Sequence, residues 1–133
     1  MSKDNYMEVI SIDGRKKRSK DTSELIIDTA FSLLNEGILN ITHELIAKEA
    51  KIGTRTIFRH FKDKNSLIIG MHNKLLNDFE SYKPKIDLDI DVSSRLKLLI
   101  EFTCNTYEKY QYVYHWTVKN LWYSKDVRMN IVE

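Results

Sequence analysis

Two short apolar-patterned segments with a tight turn between them constrain this chain more than any other feature. In the first, "THELIAKEA" (residues 42–50), Ile46 and Ala50 lie four apart with the small Ala47 beside them. That spacing predicts a helix over 43–50 whose small residues let a neighbour come close. Thr42 is placed to cap it, since its hydroxyl can accept from a free backbone N–H two or three residues on. "KIGT" (residues 51–54) then makes the turn, with Ile52 as its buried pin. In "TRTIFRHF" (residues 54–61), Thr54 is expected to cap a second short helix that carries Ile57 and Phe61 on one face. Short helix, glycine-containing turn and short helix make a helix-turn-helix unit.

The flanking sequence is helical too. Asp21 and Glu24 resemble a capping box, and Leu25, Ile26, Thr29, Ala30 and Leu33 recur at helical spacing up to Gly37. This predicts a first helix over about 22–36, closed by a glycine able to take the left-handed conformation. Asn65 or Asp63 is expected to cap a long helix over about 65–82, with Leu67, Met71, Leu75 and Phe79 on one stripe and Pro84 as its stop. After the acidic linker "KPKIDLDIDV", a helix starts near Ser93 with Leu96, Leu99, Ile100, Thr103, Tyr107 and Tyr110 as its expected buried stripe. A break near Tyr110-Gln111 would separate it from a helix over 112–123, and a further helix would begin at 124. Residues 1–20 show no clean period and read as a mobile arm. With one proline and four glycines in 133 residues, the fold class is all-α: a three-helix helix-turn-helix domain (21–66) after the arm (1–20), then a long connecting helix and a partial helical C-terminal domain (67–133).

Charge is placed unevenly. Residues 1–64 hold 12 Lys and Arg against 10 Asp and Glu, whereas residues 65–133 hold 9 of each. "RKKRSK" puts Arg15, Lys16, Lys17, Arg18 and Lys20 within six residues. Such a run is a solvated tail in most chains and a nucleic-acid arm in others. The single cysteine, Cys104, excludes an internal disulfide framework. No apolar run approaches the ~20 residues that span a bilayer, and Lys3, Asp4 and Glu8 interrupt any signal-peptide core. The expected location is the cytoplasm, away from membranes.

Catalytic patterns are missing. His43, His60, His72 and His115 stand apart, no phosphate loop or nucleophile elbow is present, and no metal or cofactor is expected. The helix-turn-helix carries more chemistry. Between residues 51 and 62 there is no acid, but Lys51, Arg55, Arg59 and Lys62 are there. A recognition helix needs such a donor-rich, acid-free end to approach base edges in the major groove. The aromatics Tyr107, Tyr110, Trp116 and Trp122 read either as ordinary core or as the lining of a pocket for an apolar or cationic effector.

The stretch "LIIDTAFSLLNEG…ITHELIAKEAKIGTRTIFRHFKDKNSL" resembles the DNA-binding domain of the tetracycline-repressor (TetR) family. The resemblance rests on Gly37, Thr42, Ile46-Ala47, Ala50, Ile52, Thr56-Ile57-Phe58, Phe61, Lys64 and Leu67, over about residues 22–68. It implies double-stranded DNA as partner, with Thr42 and His43 at the start of the first short helix, Thr54, Arg55 and Thr56 in the groove, Phe58, Arg59 and His60 along the DNA side, and Lys64 on a phosphate. The sequence departs from the family at Lys51, where glycine is usual, at Gly53 (usually Ser), at Arg55 (usually Gly) and at Phe58 (usually Tyr). These changes imply an altered base preference. The resemblance further implies an effector-responsive repressor acting as a homodimer on a palindromic operator. Two further helices that pair in the family are not in this sequence, which leaves a shortened chain or a dimer made through other surfaces. The alternative is a TetR-like interaction subunit that does not bind an operator itself.

Overall fold

The computed structural model describes residues 3–125 and 128–129, with side-chain surroundings given from Gly14 onward. Five helices follow in chain order: α1 (Lys3–Asn35), α2 (His43–Ala50), α3 (Thr54–His60), α4 (Lys64–Tyr82) and α5 (Val92–Tyr123). Among the described residues there is no strand. Most of the expected helix–helix order is present. Two expectations about helix limits are corrected, and both corrections have a physical cause.

First, the segment expected to be a mobile arm is helical: α1 begins at Lys3, so Asp21 and Glu24 form no capping box. Glu24 instead lies 3.9 Å from Lys20 in an exposed i,i+4 ion pair. Starting a helix costs far more than extending one. The packed turns of α1 therefore seed a ladder that continues through residues with no apolar stripe of their own. Second, α5 has no break at Tyr110-Gln111, since neither proline nor glycine interrupts it. The helix expected from 124 lies largely outside the described residues.

Packing explains the rest. α1 buries Ile26, Ala30 and Leu34 completely, and Ile27, Phe31 and Leu33 nearly so. Leu25 is exposed, so the buried stripe is turned by one position from the expected one. α1 packs against α2, α4 and α5. Its C-terminus closes with a Schellman motif: Ile38 N–H donates to the Leu33 carbonyl (3.0 Å), Gly37 N–H to that of Leu34 (2.9 Å), and Gly37 takes φ +85°. α4 starts with a capping box, in which the Asp63 carboxylate accepts from Ser66 N–H at 2.8 Å. That backbone hydrogen bond is the main reason the Asp63 carboxyl is held below its ordinary pKa. Asp91 caps α5 in the same way, accepting from Ser94 N–H at 3.0 Å. Both caps contribute above the ordinary carboxylate range and are lost as pH falls through the lowered folded values.

α5 joins the core only in its second half, through Tyr110, Val113, Trp116 and Thr117. The expected buried stripe over its first half is corrected: Leu96, Leu99, Ile100, Thr103 and Tyr107 are exposed, and no described helix covers the first three. Gly70 is the closest passage in the core. A Cβ there would meet the Phe61 ring at 2.7 Å and Ile27 Cδ1 at 3.3 Å. Overpacking costs ~1–3 kcal/mol, and alanine's better helix propensity offsets up to ~1 kcal/mol of it. Gly70→Ala should therefore destabilise the fold by about 1 kcal/mol, read as a lowered urea midpoint. A raised midpoint would mean that the Phe61 ring moves aside without cost.

Candidate nucleic-acid interface

α2 is anchored at its start by Thr42, whose hydroxyl accepts from Leu45 N–H at 3.1 Å. At its end Lys51 takes the left-handed conformation (φ 55°, ψ 42°). Ile52 N–H donates to the Ala47 carbonyl (3.1 Å) and Lys51 N–H to that of Lys48 (3.3 Å). This is the same motif that Gly37 makes after α1. Gly53 is extended (φ −70°, ψ 139°) and serves as N-cap of α3, with no side-chain hydrogen bond. Thr54, expected to cap α3, is instead its first helical residue. The turn therefore keeps its shape because Lys51 itself adopts the strained conformation, and Gly53 needs none of its special freedom.

α3 divides into two sides. Ile57 is fully buried and Phe61 half-buried against the core. Thr54, Arg55, Phe58 and Arg59 recur at helical spacing and are exposed, while Thr56 is half-buried. Two histidines hold α3 in place. His43 is buried, and its Nε2–H donates to the Phe61 carbonyl at 2.8 Å. The imidazole also stacks on the Phe58 ring, with centroids 4.5 Å apart and planes 10° from parallel. His60 is half-buried and shares a 2.9 Å hydrogen bond with the Ser23 hydroxyl of α1.

The residues expected to face DNA are thus sorted by the fold. Thr42, Thr54, Arg55, Phe58, Arg59 and Lys64 are exposed. His43 and His60 make intramolecular bonds that brace this face: His43 backs the Phe58 ring, and His60 ties α3 to α1. Phe58 keeps 42% of its surface exposed despite that stack. Arg15, Lys16, Lys17, Arg18 and Lys20 are exposed on the helical extension of α1, where Arg18 Nε donates to the Gly14 carbonyl at 3.2 Å.

The expected effector residues separate as well. An apolar cleft of about 300 Å³ lies between α4 and α5, lined by Leu75, Leu76 and Phe79 on one side and Tyr107, Tyr110 and Tyr114 on the other. Burial pushes the pKa of His72, which also lines the cleft, below the ordinary value of 6.5. Trp116 and Trp122 do not line it. Trp116 is buried, and its indole N–H donates to the Leu39 carbonyl at 2.9 Å. Trp122 is 73% exposed. Sequence spacing divided these aromatics between two helices, whereas they share α5 and occupy separate faces of it. Among the described residues, no three metal-ligating side chains converge and no helix is long and apolar enough to cross a membrane.

A family comparison falls on the same segment. Residues 26–71 match the family model described as "Bacterial regulatory proteins, tetR family". An HTH-type transcriptional regulator of Staphylococcus aureus (strain USA300) is 36% identical over 75 residues. Proteins of the same description from strains NCTC 8325 / PS 47 and COL match equally well. The aligned part covers 56% of this chain and 40% of each relative, so the chain matches less than half the length of these regulators. No solved structure matches.

The left-handed Lys51 gives a direct test. That conformation costs a residue with a Cβ ~1–2 kcal/mol, and glycine's extra unfolded-state freedom costs ~0.5–1 kcal/mol. Lys51→Gly should therefore stabilise the protein by about 0.5–1 kcal/mol, measured by urea unfolding. An unchanged or lower midpoint would show that the turn does not strain Lys51.

Proposed function

We propose, from the TetR-family domain that residues 26–71 carry, that this chain is a sequence-specific DNA-binding transcriptional regulator that acts as a dimer, most simply an effector-responsive repressor. The observation that carries the reading is the exposed, acid-free face of α3, where Arg55 and Arg59 stand one turn apart with Thr54 and Phe58 beside them. An arginine fork can engage a guanine edge in two places, and the Phe58 ring, backed by His43, can meet a thymine methyl. Thr42 and Lys64 are exposed to take phosphates on either side. In a dimer the two α3 helices would enter successive major grooves about 34–36 Å apart on a palindromic site.

Effector response is supported by the apolar cleft and by one polar chain that leaves it. The Tyr110 hydroxyl, at the cleft wall, donates to Asp78 of α4 at 2.8 Å. Lys74 lies 3.5 Å from Asp78 and 3.5 Å from Asp28 of α1. A small apolar or cationic effector that displaces Tyr110 would change how α4 sits on α1, and so the spacing of the two recognition helices. The exposed apolar stripe of Leu96, Leu99 and Ile100 is surface available for pairing with a second copy.

Two substitutions separate the kinds of DNA contact. Arg55→Ala should relax selection at one base position, at a cost of about 1–3 kcal/mol there, when protein is used to select from a random duplex pool. A uniform loss across all duplexes would count against a base contact. Replacing Arg15, Lys16, Lys17 and Arg18 by Ala should weaken binding to all sequences and flatten the log–log salt dependence by up to ~0.9 per lost phosphate contact. An unchanged slope, measured by fluorescence anisotropy, would remove the α1 extension from the interface.

A further inference from the structure

The face of α5 turned away from the apolar cleft carries a second cleft, of about 500 Å³ and different chemistry. Tyr112, His115, Trp116 and Lys119 recur there at helical spacing. The start of α4 contributes Lys64, and the link between α1 and α2 contributes Asn40. Three parts of the chain that are far apart in sequence therefore meet around it.

The floor of this cleft is fixed. Trp116 is held by its hydrogen bond to the Leu39 carbonyl, and the amide of Asn120 donates to the Trp116 carbonyl at 2.7 Å. The Lys64 ammonium stands 5.7 Å from the centroid of the Trp116 ring. His115 is steadied by a 3.1 Å hydrogen bond with the Tyr107 hydroxyl. The charge is one-sided: no Asp or Glu lines the cleft. Among the described residues neither Lys64 nor Lys119 forms an ion pair. Two ammonium groups thus face one concavity without a counterion, between aromatic and amide walls.

We propose that this cleft binds a small organic anion, a planar carboxylate held between Lys64 and Lys119 with its ring against Tyr112. Charge-assisted hydrogen bonds from the two ammonium groups take the carboxylate oxygens, and the exposed Tyr112 ring supplies the apolar contact. The ligand joins α4 to α5 because its two cations come from different helices. It also occupies Lys64, so under the DNA-binding reading above an anion here competes with a phosphate of the duplex. That consequence rests on the DNA-binding reading, whereas binding of the anion does not.

The test uses benzoate and inorganic phosphate as probes of the full chain carrying Trp122→Phe, in which Trp116 is the remaining tryptophan. Benzoate should change the Trp116 emission saturably, and Lys64→Ala with Lys119→Ala should weaken it about tenfold or more. Lys119→Glu alone should do the same with the far-UV spectrum unchanged, which separates a lost contact from a lost fold. Three outcomes overturn the assignment. One is equal benzoate affinity in the lysine variants. Another is saturation by phosphate with no response to benzoate. The third is a Lys119 dependence seen for duplex DNA but not for benzoate, which would make the cleft a stretch of DNA-backbone surface.

Discussion

Burial of one stripe of α1 is the interaction on which the remaining structure depends. Ile26, Ala30 and Leu34 are inaccessible to solvent, and the same helix packs against α2, α4 and α5. Each large aliphatic side chain taken from water contributes ~1.5–3 kcal/mol, so this stripe is among the strongest attractions in the molecule. α3 leans on that frame more than on itself. It has seven residues and no side-chain cap at its start, and helices so short are marginal alone. Ile57 seats it in the core, while His43 and His60 hold its C-terminal end to α2 and α1.

The position of α1 also gives the two clefts a common mechanical reference. The apolar one reaches α1 through Tyr110, Asp78, Lys74 and Asp28. The polar one reaches the end of α1 through Trp116 and the link at Leu39. Both are therefore joined by short chains of contacts to the helix that carries the basic extension and meets α3 at Ser23. Packed interiors switch between discrete arrangements rather than deform continuously; under the proposed effector response, a change at either cleft would shift the exposed face of α3.

Much of this was legible in the sequence, and the failures share a cause. The limits of α4, the start of α2 and the end of α1 followed from local chemistry: Thr42 and Asp63 at starts, Gly37 and Pro84 past ends. Such signals act within a few residues and survive without tertiary knowledge. The extension of α1 was missed because its support is cooperative and comes from residues further along the helix. The exposed stripe at Leu96, Leu99 and Ile100 looked buried because periodicity reports which face is apolar and not whether anything covers it. The hydrogen bonds of His43 to the Phe61 carbonyl and of His60 to Ser23 were not legible either. No spacing rule carries the direction of a side chain. Lys51 stands where glycine is usual in the family, and the backbone keeps the left-handed turn by straining lysine.

The bond from the Trp116 indole to the Leu39 carbonyl joins residues 77 positions apart. Leu39 and Asn40 lie in the link that delivers the chain into α2. Contacts of such separation form late, since loop closure must precede any gain from them. The link before the helix-turn-helix thus acquires its final hydrogen bonding only after the second half of α5 has been synthesised and docked. Although the helix-turn-helix lies within residues 42–61, its entry segment takes that hydrogen bond from a residue 77 positions further along the chain, which makes the order of synthesis part of how this fold is assembled.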